Sequence, residues 1–388
     1  MKGMTNRQLG FFLFLVVLAG ATGTGGLPHG RDDWMAYLLL ALVAVPLALF
    51  YCRFSGHPPL VQLRSICGKG FGTVLALFYS LLGLLLASAS FSVYTEFVVF
   101  TGLEYSTPWL NGWMLALAAW AVLQNDLPGL GRLSRLVFSG VLVLLLCEIG
   151  IISVKARPEN LLPLLEDGGK NLPTIVYAGL ALVAPPLFFT SFLGEGAENS
   201  VIKLQKIQAQ RENSVAKTEN SVAKLPNLMT KFSPLRVRWY QNGLVVGSFF
   251  AILLVTLDSV VTAMTLGDYL MSRMSYPAYT AMSVVELGRS FHHAELLVSG
   301  WLILSLPFRV TMYLSFAKRT LTALWPKWEK WYPALLVAAC QGIYLLTPAE
   351  NAWQRLADTR GMVIAATIGL PLLLALVQWL RSKKKTTA

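Results

Sequence analysis

Ten long stretches in which apolar side chains run almost unbroken dominate this sequence, at 8–27, 34–51, 71–100, 109–124, 134–154, 173–193, 243–266, 294–316, 332–346 and 362–380. A bilayer's hydrocarbon core of about 30 Å takes about 20 helical residues per crossing. Backbone in lipid must also satisfy its hydrogen bonds internally. The chain is therefore expected to be an all-α polytopic membrane protein with about ten transmembrane helices. Composition agrees, since 55% of the 388 residues are hydrophobic and 13% charged, against roughly 25% charged in a soluble domain. A soluble enzyme carrying one anchor is excluded.

Lys2 and Arg7 precede the first run as they would a signal peptide, but no small-residue cleavage site leads into a polar mature domain, so 8–27 reads as the first span. With the amino terminus inside and ten spans alternating, roughly three quarters of the 32 Lys and Arg fall on that side. Both termini are thus expected to be cytoplasmic, with 381–388 a basic cytoplasmic tail. The same asymmetry accounts for the net charge of +12 without a nucleic-acid partner. The polar, basic segment 198–240 is expected to be a cytoplasmic loop, and Glu-Asn-Ser-Val recurs in it at Glu198, Glu212 and Glu219.

No hydrolase or kinase constellation is present, and no enzyme is expected. Gly68-Lys69-Gly70-Phe71-Gly72 lacks the spacing of a phosphate-binding loop. Cys52, Cys67, Cys147 and Cys340 form no CxxC pair, and the adjacent His292 and His293 diverge on a helix. No metal or cofactor is expected.

The first run ends Gly20-Ala21-Thr22-Gly23-Thr24-Gly25-Gly26-Leu27-Pro28. Each glycine costs a helix interior up to about 1 kcal/mol, so this stretch is expected either to unwind, offering free N–H groups to a carboxylate, or to form a close-packed helix face. A related interruption is expected in the sixth run, where Pro185-Pro186 removes two backbone donors and Thr190-Ser191 precedes Gly194-Glu195-Gly196. Breaks in spans one and six are corresponding positions of two five-helix halves, at about 8–154 and 173–380. That pairing points to a midplane site in a five-plus-five inverted-repeat transporter fold.

Ionisable residues inside spans each cost about 2.5–3.5 kcal/mol on insertion scales. They are Glu96, Glu148, Asp258, Glu295 and Arg309. Glu96 and Glu295 lie near an interface, where solvation suffices. Glu148 is explained by structural pairing or by proton coupling, to which Asp258 is the companion candidate. Arg309 is expected to fix helix packing through an ion pair or a carbonyl contact.

In sequence order, Thr5-Asn6-Arg7-Gln8-Leu9, then Gly23 to Pro28, then Gly30-Arg31-Asp32-Asp33-Trp34 resemble the amino-terminal signature of one family, the B subunits of spore germinant receptors. These form a branch of the amino acid, polyamine and organocation transporter superfamily. Tyr94-Thr95-Glu96-Phe97, the run from Leu161 to Gly168 and that from Glu295 to Trp301 are similar as well. The resemblance spans nearly all the chain except 198–240. It implies a subunit that binds a small germinant, often an amino acid, in the spore inner membrane, alongside an A subunit and a lipoprotein C subunit. It places the site at Thr22, Gly23, Thr24 and Gly25, facing Thr190 and Ser191. Ser88, Ser92, Trp301 and Ser305 are further candidates placed by depth. Two alternatives to a germinant sensor stay open, a secondary amino acid or amine transporter coupled to protons or sodium, and a scaffold that binds no ligand.

Overall fold

The computed structural model describes residues 3–21, 30, 32–52, 58–101, 107–164, 169–170, 172–194, 242–285, 293–346 and 359–376. The loop at 198–240, the basic tail and residues 22–25 lie outside them. The helices are α1 (Asn6–Ala21), α2 (Asp33–Tyr51), α3 (Pro59–Cys67), α4 (Lys69–Phe100), α5 (Pro108–Gln124), α6 (Leu127–Ser153) and α7 (Leu172–Ser191). They continue with α8 (Gly243–Met271), α9 (Pro277–Val284), α10 (Leu296–Leu324) and α11 (Tyr332–Leu346), then α12 (Thr359–Leu376).

Within the described residues each of the ten apolar stretches contributes a helix. Among the described residues seven helices, α2, α4, α6, α7, α8, α10 and α12, are long and apolar enough to cross a membrane. The stretches with α1, α5 and α11 give shorter helices of 16, 17 and 15 residues. On α4, Phe71, Val74, Phe78, Leu81 and Leu85 form one exposed stripe, while Leu75, Tyr79 and Leu82 are buried. An apolar outer face of this size needs lipid to cover it, and the chain is an integral, multi-pass membrane protein.

Packing pairs helices five spans apart: α1 meets α7, α2 meets α8, α4 meets α10 and α5 meets α11. Helices α1 and α8 come into backbone contact. A Cβ on Gly243 would overlap the carbonyl oxygen of Asn6, and one on Gly247 that of Gly10. Asn242 caps α8, its side-chain oxygen accepting from Leu244 N–H at 3.0 Å.

Near its end α8 kinks at Gly267, whose φ of 71° suits glycine. The upstream carbonyl of Met264 is satisfied from outside the helix, by Arg157 N–H at 3.0 Å and Asn160 Nδ2 at 2.7 Å. In α12 residues Ala365–Gly369 form a π-turn. There the Tyr79 hydroxyl donates to Ala366 O at 2.8 Å and the Tyr51 hydroxyl to Thr367 O at 2.5 Å.

The sixth stretch departs from expectation. Helix α7 runs continuously through Pro185 and Pro186 to Ser191. Prolines inside a spanning helix are tolerated where neighbours compensate for the lost bonds, and here the helix is gripped by aromatic packing. Phe188 stacks 4.6 Å from Tyr79, and Phe189 sits 5.0 Å from Phe316 and 5.3 Å from Tyr313 between ring centroids. The first stretch, expected to reach Leu27, is described as helix only to Ala21.

Candidate functional site

Three basic side chains of α10 each meet a carbonyl in or just past the last turns of a different helix. Arg309 Nη1 donates to Val16 O of α1 at 3.4 Å, and its guanidinium fills the space a side chain at Gly20 would need. Lys318 Nζ donates to Leu123 O of α5 at 2.9 Å. Arg319 Nη1 donates to Phe192 O just past α7. Leu123 and Phe192 lie where a helix end leaves carbonyls unsatisfied and carries a partial negative charge, while Val16 lies a turn further in; through these three contacts α10 ties α1, α5 and α7 together.

These contacts locate the expected site residues. Phe192 and Leu193 lie beside the start of α1, where Met4 N–H donates to Leu193 O at 3.0 Å and Met4 bridges Gly194. The end of α1 lies ten residues higher on α10, at Arg309, which corresponds to roughly 15 Å of helix. Thr190 and Ser191 are thus not brought to the carboxyl end of α1, which Thr22, Gly23, Thr24 and Gly25 follow. Those hydroxyls lie at the carboxyl end of α7, beside the start of α1. Thr190 Oγ1 donates to Met312 Sδ at 3.0 Å, and Ser191 Oγ to Phe188 O at 2.6 Å. A thioether is a weak acceptor, so Thr190→Val is expected to change stability by less than about 1 kcal/mol and to leave ligand binding intact. Loss of binding in a folded Thr190→Val protein, measured by ligand-dependent melting, would return this residue to the site.

At the end of the bundle away from the start of α1 there is a partly open cavity of about 60 Å³. Its walls come from five helices: Asp33 and Tyr37 of α2, Phe97 of α4, Asp258 and Thr262 of α8, Tyr279 of α9 with the preceding Tyr276, and Trp301 of α10. Asp258 and Thr262 are four residues apart and so share one helix face. Tyr276 packs 5.1 Å from Phe97.

Behind Trp301 lies Glu148 of α6, fully buried, with Oε2 accepting from the indole Nε1–H. Its Oε1 has no hydrogen-bond partner among the described residues. Glu148 and Asp258 are close enough for their charges to interact, and no Lys or Arg is among the described lining residues. The site is therefore a recess with carboxyl and aromatic side chains in its walls.

Of the residues placed by depth, Trp301 lines the recess. Ser88, Ser92 and Ser305 are buried elsewhere, with Ser88 Oγ donating to Leu85 O at 3.3 Å and Ser305 Oγ to Leu302 O at 3.0 Å. Glu96 is exposed. Sequence reasoning did not select Asp33, Tyr37, Thr262 or Tyr276 for a site. The one available signal was the pair of polar residues Asp258 and Thr262 at helical spacing in an apolar run.

No protein-family model matches the chain, and no curated protein matches it. Among solved structures it is similar to a nucleobase-cation-symport-1 family transporter in a closed conformation with bromovinylhydantoin bound. The TM-score is 0.64 over 96% of this chain and 77% of that one, at 11% sequence identity. At that identity the likeness establishes the architecture, an all-α transporter-type membrane fold.

Proposed function

We propose that this chain is a membrane sensor of the germinant-receptor B-subunit type, which binds a small germinant, an amino acid being the expected class, within a transporter fold. The recess between α2, α4, α8, α9 and α10 carries this reading, because it offers an acidic and aromatic lining at one end of a bundle with no enzyme-like constellation in its sequence. The order of the amino-terminal motifs supports the family. The solved transporter of similar fold holds a small organic molecule, which supports a small-molecule ligand.

In this reading both termini face the cytoplasm and the recess faces outward, toward nutrients reaching the spore inner membrane. The residues after α1, Thr22, Gly23, Thr24 and Gly25, lie on the path between α1 and α2 and contribute backbone N–H groups to the ligand. An A subunit and a lipoprotein C subunit read the bound state. A ligand shifts a conformational equilibrium only by its different affinity for the two states, so the receptor must hold the germinant more tightly in one arrangement of the bundle.

A second reading rests on Glu148 and Asp258. Two buried, interacting carboxyl groups are what a secondary transporter would use to couple an amino acid or amine to protons or sodium. The deciding experiment is thermal melting of the purified chain, alone and with A and C partners, against amino acids, amines, sugars and nucleosides. One class is expected to raise the melting temperature by several degrees. Counterflow of that ligand in vesicles holding this chain alone would establish the transporter. A folded chain shifted by nothing, in any assembly, would refute both and leave a membrane scaffold.

A further inference from the structure

The recess contains more unsatisfied polar chemistry than a packing defect would. Asp258, Thr262 and Tyr276 are each at least nine-tenths buried, with relative exposures of 5%, 2% and 4%. Each has an oxygen, Asp258 Oδ1, Thr262 Oγ1 and Tyr276 Oη, with no hydrogen-bond partner among the described residues. All three line the same cavity. A buried polar atom without a partner costs about 1–3 kcal/mol, so three around one space form a site organised for something that supplies donors.

We infer that Asp258, Thr262 and Tyr276 form a binding site for a primary ammonium group, and that the germinant is therefore an amine or an amino acid held by its nitrogen. This rests on the small-molecule reading above and adds to it the group by which the ligand is held and the atoms that recognise it. A primary ammonium has three N–H donors and no acceptor, matching a carboxylate and two hydroxyl oxygens. Asp258 supplies the opposite charge. Apart from Asp33 and Ser259, the remaining wall is apolar and aromatic, with Tyr37, Phe97, Tyr279 and Trp301. That favours an organic cation over a hard metal ion, which would require oxygen around its whole surface. A water needs about 10–15 Å³ of such space, so about 60 Å³ holds an ammonium head and a short alkyl stem.

The test uses the full-length chain in nanodiscs with three probes sharing one carbon skeleton: L-valine, isobutylamine, which lacks its carboxylate, and isovalerate, which lacks its nitrogen. Isobutylamine and L-valine are expected to bind and raise the melting temperature, isovalerate to do neither, and the N,N,N-trimethyl form of isobutylamine to bind at least tenfold more weakly. Asp258→Asn should weaken amine binding at least 30-fold, and Thr262→Val or Tyr276→Phe three- to tenfold each. If Asp258→Asn does not fold, the other two variants carry the test. Equal binding of isovalerate and isobutylamine, or unchanged amine affinity in the folded variants, overturns the ammonium site while leaving a small-molecule sensor. Stabilisation by sodium chloride over potassium chloride with no amine effect overturns it in favour of a metal ion. Binding by sugars or nucleosides alone overturns the ammonium class, and no binding by any probe or panel member overturns both readings.

Discussion

A Gly243→Ala chain is expected to lose its folded state, with a penalty of about 3 kcal/mol or more, because the added methyl group meets main chain that cannot move aside. The Cβ would overlap Asn6 O and would also lie 2.9 Å from Gly10 N. Gly247→Ala should behave alike, meeting Gly10 O with Gly10 Cα 3.0 Å away. Gly20→Ala provides a gradient, since it meets the mobile end of Arg309, and should cost less. Gly140→Ala meets nothing within 4 Å in α6 and should gain up to about 1 kcal/mol of helix propensity. Detergent-resistant folded fraction and melting temperature across the four variants check the order. A Gly243→Ala protein as stable as Gly140→Ala would show that α1 and α8 are not in backbone contact.

Trp301→Phe is expected to destabilise the bundle by about 2–4 kcal/mol, although it keeps most of the ring. Its indole N–H is the hydrogen-bond donor to Glu148, and without it a fully buried carboxyl has no partner. Replacing both partners with apolar groups removes that penalty. The double variant Trp301→Phe, Glu148→Leu should therefore be more stable than Trp301→Phe alone. Chemical denaturation in mixed micelles, analysed as a double-mutant cycle, measures the coupling. Additive losses would mean that the indole and the carboxyl do not depend on one another.

The bundle was legible because lipid imposes a length on each crossing, and Trp34 to Tyr51 or Tyr332 to Leu346 announce their limits by charge and proline alone. What the sequence withheld is rotation. Asp258 and Glu148 were visible as costly charges, yet a run that is apolar on all sides carries no moment to say which way Thr262 or Ser305 points. Thr262 lines the recess, and Ser305 returns its hydroxyl to Leu302 O. Pro185-Pro186 misled for a related reason. Proline weakens a helix locally, but the ring contacts of Phe188 and Phe189 come from α4 and α10, distant in sequence. Tyr276 was hidden because it lies between spans, where hydropathy reports only that a loop is present.

The π-turn at Ala365–Gly369 has a consequence for descent. Such a turn holds an extra residue, and one residue is about 100° of helix rotation. Because Ala366 O and Thr367 O are tied to Tyr79 and Tyr51, the surplus is absorbed between fixed points instead of being passed to the end of α12. Chains that diverged from this one can therefore differ by a single codon inside α12, keeping the two tyrosines and every helix before it in register.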